Sequence, residues 1–383
     1  MKSYDFAIVG AGVFGAWTAY FLRKTGASVL LLDAYGPANS RASSGGETRV
    51  IRRGYGPDEL YARWSMRSLP QWRELAERTG REIFHKTGVL WLSNEEDEYF
   101  KSVPKALAHA GVEYEELNGD EIARRWAQLR FHDVTRGILE PASGLLLARA
   151  GVQALVKELA GNGVDYAQLA IETPDGEGKL KEVRAAGGKS ITADAFIFCC
   201  GPWLPKIFPD LLRDRIFPTR QEVFFLGTPA GSTDFQPHRM PVWLHRTHAG
   251  LPYALPEIEG RGFKIAFDTH GEQFDPDNGM RVVAESSISK LREYLRQHIP
   301  TLKDAPIVET RVCQYENTWN GDFLIDRHPD FENVWIAGGG SGHGFKHGPA
   351  LGEYLSARIL QDAPAEPRFL LAAKQTAQKR AVY

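Results

Sequence analysis

The sequence predicts an α/β protein in which a parallel-sheet domain is interrupted by a second, mainly antiparallel one. Three observations carry that prediction. The chain opens at 4–33 with a strand, a glycine turn, a helix and a second strand. Near its other end, at 334–349, another short apolar strand runs into a glycine-rich loop. Between about 215 and 307 the pattern breaks into short strands separated by turn residues, as in an antiparallel sheet. At 383 residues the chain also exceeds the usual single-domain size.

In the opening unit, residues 4–9 read as a buried strand, and Gly10-Ala11-Gly12-Val13-Phe14-Gly15 has the G-x-G-x-x-G spacing. The helix that follows carries Val13, Phe14, Trp17, Phe21 and Leu22 on its apolar side and ends at Gly26. A second strand over 27–32 finishes at Asp33. Gly10 permits the tight turn, Gly12 lets the backbone approach a pyrophosphate, and Gly15 lets helix and strand pack closely. The N–H groups and dipole of the helix N-terminus, at Val13 and Phe14, attract the pyrophosphate charge. Asp33 is placed to accept hydrogen bonds from the adenosine ribose hydroxyls. A glycine turn alone is a weak signal. Between a strand and a helix, and followed by an acid at this distance, it defines a Rossmann-like dinucleotide site.

Composition narrows the function classes. The chain is 43% hydrophobic and 25% charged, ordinary for a globular protein. A net charge of -2 offers no basic excess for a nucleic-acid backbone. No stretch approaches twenty apolar residues, so no membrane span is expected. The N-terminal apolar run is the first strand rather than a leader. Cys199, Cys200 and Cys313 form neither a disulfide framework nor a zinc spacing. A soluble, cytoplasmic monomer is expected.

The loop after Asp33 holds Arg41, Thr48, Arg49, Arg52 and Arg53 among glycines and serines. Arg49 and Arg52 lie three apart, as a helical start would align them, and are expected to contact ligand. Arg41 and Arg53 read as solvated. Helices are expected over 60–80, 105–111, 120–126 and 148–161, with extended segments over 82–92, 137–147, 164–170 and 183–185. At 194–204 a buried strand ends at Gly201 and Trp203, a second phosphate-side crossing where the dinucleotide domain resumes. A helix over 287–298 closes the strand-rich region. The loop Gly338 to Gly344 then leads into a helix over 350–360, a second anion-friendly terminus. The tail past Ala363 is expected to be peripheral, with Phe369 and Leu370 docking. The expected domains are 1–85, 147–214 and 308–383 for the dinucleotide, and 86–146 and 215–307 for the substrate.

Four motifs can now be read together: GAGVFG, SSGGETRVIRRGYG, GFKIAFDTHG and VCQYE…IDRHP…GGGSGHGFKHG. In this order and spacing the chain resembles, from Tyr4 to about Leu360, the monomeric sarcosine oxidase family, flavoenzymes that include N-methyltryptophan, pipecolate and fructosyl amino acid oxidases. The resemblance implies bound FAD, oxidation of the C–N bond of a secondary amine carrying a carboxylate, reduction of O2 to H2O2, and hydrolysis of the imine. It implies that Cys313 is joined to the flavin ring as a thioether and that Lys264 activates oxygen. It implies that Arg52 and Lys346 hold the substrate carboxylate and that His343, Tyr315 and Tyr253 line the substrate cavity. Thr48 and Arg49 match flavin contacts. Ser44, Gly201, Trp203, Gly340, Gly342, Gly344 and Lys346 complete the expected cofactor set.

Elementary chemistry agrees with these roles. A guanidinium and an ammonium converging on one carboxylate give charge-assisted binding. Oxygen reduction begins by making an anion, so a fixed cation nearby lowers that barrier. Read without the resemblance, Cys313 is a buried core thiol and Lys264 the outward residue of an alternating strand. His343 and His347 lack a third ligand nearby, so no metal is expected.

Two positions depart from the family pattern. Ser44 and Gly45 stand where relatives commonly have a histidine pair, a change expected to open space beside the flavin. Asp268 stands where a histidine usually faces the bound amine, and a carboxylate there favours a cationic nitrogen. Both changes point away from sarcosine and towards a bulkier N-substituted or cyclic amino acid. The alternatives are a dehydrogenase using another electron acceptor, against which Lys264 speaks, and a non-catalytic flavin-binding subunit, which would need none of Arg52, Lys264, Cys313 and Lys346. A nicotinamide-only reductase fails on the second glycine loop.

Overall fold

The computed structural model describes residues 3–94, 98–248, 250–269 and 271–375. Strand β1 (Ser3–Val9), apolar beyond Asp5, passes through the glycine turn into α1 (Val13–Lys24) and β2 (Val29–Asp33). β3 (Thr48–Ile51), α2 (Glu59–Thr79), β4 (Phe84–His85) and β5 (Val89–Ser93) follow. Next come α3 (Glu98–His109), β6 (Glu115–Asn118), α4 (Gly119–Arg125) and β7 (Arg136–Glu140). β8 (Gly144–Leu147) leads to α5 (Ala148–Gly161), β9 (Asp165–Gln168), β10 (Glu182–Ala185) and β11 (Lys189–Phe198). Two single turns, α6 (Leu204–Ile207) and α7 (Pro209–Leu212), precede the long strand β12 (Ile216–Leu226). β13 (Val242–His245), β14 (Leu251–Leu255), β15 (Phe263–Asp268) and α8 (Glu285–His298) complete the second excursion. The chain closes with β16 (Ile307–Thr318), β17 (Leu324–Arg327), β18 (Val334–Gly338) and α9 (Gly348–Gln361).

The first sheet runs β17-β18-β11-β1-β2-β9, with β10 paired to β11. β2, β1, β11 and β18 are mutually parallel, so their C-terminal ends share one edge. Ligands of open α/β sheets bind outside that edge. Helix α9 packs on α1 at the distance glycine allows, because a Cβ on Gly348 or Gly352 would collide with Val13 or Trp17. Trp17 is fully buried and meets Trp72 of α2 edge-on at 5.2 Å.

The second sheet runs β16-β12-β15-β14-β13-β5-β7-β6 and is antiparallel except at β13–β5. A small third sheet, β3-β8-β4, joins the two regions. β16 pairs with β12 along its length, from Thr318 opposite Ile216 to Ile307 opposite Leu226. The expected boundary at 308 falls inside this strand. Backbone pairing makes β16 the edge of the antiparallel sheet, and it carries Cys313 and Tyr315 into the region between the sheets. Arg49 lies in strand β3 rather than at a helical start.

Helix α3 begins before the expected 105, because the buried stripe Phe100, Val103 and Leu107 runs through Pro104. The tail is less peripheral than expected. Phe369 is fully buried against Tyr61, Trp64 and Phe323, and buried Lys374 donates to Asn320 Oδ1 at 2.9 Å. Among the described residues, no helix is long and apolar enough to cross a membrane.

Candidate active site

A cavity of about 260 Å³ lies along the C-terminal edge of the parallel sheet. Of the expected cofactor residues, Gly10, Gly12, Val13, Phe14, Asp33, Ser44, Arg49, Gly201, Trp203, Cys313, Gly340, Gly342 and Gly344 line it. Thr48 and Lys346 instead line a neighbouring cavity of about 80 Å³. Gly15 lines neither, because its task is packing: a Cβ there would strike the Gly10 carbonyl. Gly10 has φ +108° and lies against the Cys199 carbonyl, so a side chain is excluded twice. At Gly12 a Cβ would meet only Ser44 Oγ, at 3.5 Å, which leaves the backbone open to the cavity.

The residues present fit a dinucleotide. Helix α1 starts with no side-chain cap at Gly12 and no acid in its first turn. Apart from the Val13 N–H, its N-terminal donors are thus available to an anion. Ser44 Oγ accepts the Val13 N–H at 3.1 Å. Ser44 thus turns toward α1, and a Cβ on Gly45 would strike the Asn39 carbonyl. Asp33 ends β2 with Oδ2 accepting from Ala11 N and Oδ1 from Tyr35 N and Gly36 N, all at 2.8 Å. These bonds fix the carboxylate at the cavity wall, while burial pushes its pKa up and the three N–H groups oppose that rise. Trp203 donates to Asp277 Oδ1 at 2.7 Å and its ring lies 5.7 Å from that of Tyr35, which adds to the cavity wall and carries no sequence signal of its own.

In the second glycine loop the glycines permit close contact, since a Cβ on Gly342 would meet the Tyr315 ring and one on Gly344 the Phe14 ring. The Glu316 carboxylate lies beside this loop, where a Cβ on Gly340 would come within 3.2 Å of its Oε1. Glu316 was missed from the sequence. It is buried, lines the larger cavity, and its Oε2 has no hydrogen-bond partner among the described residues. Burial pushes its pKa up to about 7 against the pull of the Gly340 and Gly339 N–H groups. A buried polar atom at a cavity wall requires a partner, and a bound dinucleotide supplies hydroxyl donors. Glu316→Leu is therefore expected to weaken FAD binding about tenfold, the value of one hydrogen bond to a charged group, with Glu316→Gln retaining most of it. Fluorescence titration in a Cys313→Ala background checks this, and equal affinity in all three would remove Glu316 from the site.

The smaller cavity is lined by Thr48, Arg49, Arg52, Tyr253, Lys264, Asp268, Cys313, Tyr315, His343 and Lys346, with Val50, Leu244, Leu251 and Leu255 as apolar wall. Cys313, Tyr315, Arg49, Gly342 and Phe345 line both cavities, so the two meet there. Arg49 Nη2 lies 3.7 Å from Cys313 Sγ, a fixed cation against the sulfur. Cys313 is half-buried where the two cavities meet, whereas Cys199 is packed in the core.

Lys264 is only 4% exposed, which excludes an outward-facing strand position. Its Nζ donates to the Thr48 carbonyl at 2.7 Å. Burial first, then the charge of Arg49, drives its pKa well below the ordinary lysine value. Arg52 is buried between two rings, 4.0 Å from the Tyr55 centroid and 4.7 Å from that of Trp91. Lys346 Nζ donates to Tyr55 Oη at 3.0 Å and to the His343 carbonyl at 2.8 Å. Tyr55 thus links the two cations, a role no local pattern announces.

Buried Glu140 sets the Arg52 loop. Its carboxylate accepts from Arg53 N at 2.7 Å, Gly54 N at 2.9 Å, Trp91 Nε1 at 3.1 Å and Ser143 Oγ at 2.7 Å. An acid between apolar residues in GILEP was the available signal. His343 borders the cavity, but its Nε2 meets the Gly321 carbonyl at 3.0 Å and its ring stacks on Phe323. Tyr253 is held protonated by burial and by the charge of Asp268, with its pKa pushed up to about 12. Asp268 Oδ1 is shielded and has no hydrogen-bond partner among the described residues.

Comparison with known proteins agrees with this geometry. The family model described as FAD dependent oxidoreductase matches residues 5–358. The chain is 32% identical over 361 residues to monomeric sarcosine oxidase from Bacillus sp. (strain NS-129), covering 92% of each. It is 27% identical to N-methyl-L-tryptophan oxidase from Yersinia pestis (strain Pestoides F), covering 94% of this chain and 96% of that one. L-proline dehydrogenase from P. horikoshii shares the fold with a TM-score of 0.84 at 19% identity, over 99% of this chain and 100% of that one. The chain belongs to the FAD dependent oxidoreductase family. It is an FAD-dependent enzyme whose relatives include sarcosine oxidases.

Proposed function

We propose that the protein oxidises the C–N bond of a secondary amine bearing a carboxylate, with O2 as electron acceptor and H2O2 as product. The observation that supports this best is the junction of the two cavities at Cys313 and Tyr315, with Lys264, Arg52 and Lys346 in the wall of the smaller one. FAD, when bound, takes two electrons from the amine and passes them to O2. The α1 N-terminus, Asp33 and Glu316 would hold its dinucleotide part, and Arg49, Thr48 and Cys313 its ring end.

Arg52 and Lys346 bind and orient the substrate carboxylate. The apolar wall of Leu244, Leu251 and Leu255 excludes water and receives the amine substituent. Lys264 stabilises negative charge as it develops on oxygen. Two electrons and two protons leave the amine to give an imine, two electrons and two protons convert O2 to H2O2, and water then hydrolyses the imine. Oxygen uptake and peroxide yield across a panel of N-alkyl and cyclic amino acids test the reading. One peroxide per amine consumed is expected. Turnover only with an artificial acceptor would move the protein to the dehydrogenases.

Cys313 supports a covalent flavin thioether, since it lies at the junction beside Arg49. Flavin is expected to stay with the acid-precipitated chain and to be released from Cys313→Ala. Release from both proteins would make the attachment wrong.

Asp268 favours a substrate other than sarcosine, because it is the one carboxylate among the described residues that line the smaller cavity, and its Oδ1 has no hydrogen-bond partner among the described residues. A carboxylate there stabilises the ammonium form of the substrate and delays formation of the neutral amine that is oxidised. Removing the charge in Asp268→Asn is expected to lower the pH at which kcat/KM reaches half its maximum by about 1 unit. An unmoved pH profile would place Asp268 away from the reacting nitrogen.

A further inference from the structure

Outside the flavin cleft, three metal-ligating side chains from distant parts of the chain meet at one place. Asp133 precedes β7, His245 ends β13, and His298 ends α8. One donor atom of each lies within 4.8 Å of the others, and His245 Nε2 is 3.1 Å from Asp133 Oδ2. We propose that Asp133, His245 and His298 form a binding site for a divalent metal ion of the zinc class, held by two imidazoles and one carboxylate.

The arrangement around the imidazoles argues for more than a chance cluster. His298 directs Nδ1 at the Arg130 carbonyl, 3.1 Å away, which fixes the ring hydrogen there and leaves Nε2 as a lone-pair donor. His245 directs Nδ1 at Tyr294 Oη, 2.9 Å away, and presents Nε2 to Asp133. Metal-bound histidines characteristically use their second nitrogen in this way, which orients the ring before the ion arrives. Phe131 lies over both rings, 4.9 Å from His245 and 5.4 Å from His298, as an apolar shell.

The geometry is within reach of a tetrahedral ion. Bonds of about 2.0–2.2 Å put ligand atoms roughly 3.3 Å apart. The His245–Asp133 pair already meets that spacing, and the exposed Asp133 and half-buried His298 need to close by at most about 1.5 Å. Three protein ligands leave the fourth position to water. The ion would tie together three segments that backbone pairing leaves separate. It would also brace β13 one residue from Leu244, which lines the smaller cavity.

The test uses chelator-treated holoenzyme titrated with Zn2+ by calorimetry and with Co2+ by visible absorbance, alongside Asp133→Asn and His298→Ala. These two positions are partly exposed, and the flavin spectrum confirms that each variant is folded. The expected result is one Zn2+ per chain, a rise in Tm on binding, a Co2+ spectrum of low-coordinate N/O type, and at least tenfold weaker binding in both variants. Absence of saturable binding, or binding unchanged in both variants, would overturn the proposal.

Discussion

Lys264→Met is expected to slow flavin reoxidation by O2 about 100- to 1,000-fold, the usual loss when one preorganised charge-stabilising group is removed. Flavin reduction by the amine should be largely kept, because the cation acts on oxygen rather than on the C–N bond. Stopped-flow measurement of each half-reaction separates the two, and equal losses in both would make the lysine structural. The burial of Lys264 adds a pH signature. Desolvation and Arg49 both disfavour the ammonium, so its proton is lost below the ordinary lysine value of 10.5. The wild-type reoxidation rate should therefore fall towards the variant's as pH rises through the alkaline range, while Lys264→Met stays flat. A wild-type rate that rises with pH over this range would contradict the assignment.

Arg52→Ala should have the other large effect. Truncating one member of a buried charge-assisted pair costs about 2–5 kcal/mol, or roughly 30- to 5,000-fold in kcat/KM. Arg52→Lys keeps the charge but loses the planar fork and its stacking between Tyr55 and Trp91, so it should recover only part. The diagnostic is a substrate analogue without the carboxylate. Arg52→Ala should leave its already low kcat/KM nearly unchanged, and an equal loss on both substrates would mean that Arg52 supports the fold instead.

How much of this was legible in the sequence follows the range of the interactions. The glycine turn, Asp33 and the strand–helix–strand unit are local, and their spacing alone carried the dinucleotide site. Arg52 and Lys346 lie far apart in sequence, so only resemblance to a known family joined them. Tyr55, which links them, and Glu140, which holds the Arg52 loop, escaped notice because their partners are brought in by tertiary packing. Glu316 sat inside a recognised motif, yet its burial against Gly339 and Gly340 depends on β16 belonging to the antiparallel sheet. Nor did any local pattern announce that Ser44 Oγ would accept the Val13 N–H of α1.

In the proposed reaction a carboxylate-bearing secondary amine delivers electrons to the bound flavin and O2 removes them. Mixing the enzyme anaerobically with an N-alkyl or cyclic amino acid, following the flavin's visible absorbance and then admitting oxygen observes both transfers. Rapid bleaching without oxygen is expected, then full return of colour with one H2O2 formed per flavin. Failure of every such amine to bleach the flavin would contradict the amine chemistry, and bleaching that oxygen does not reverse would contradict the oxidase assignment.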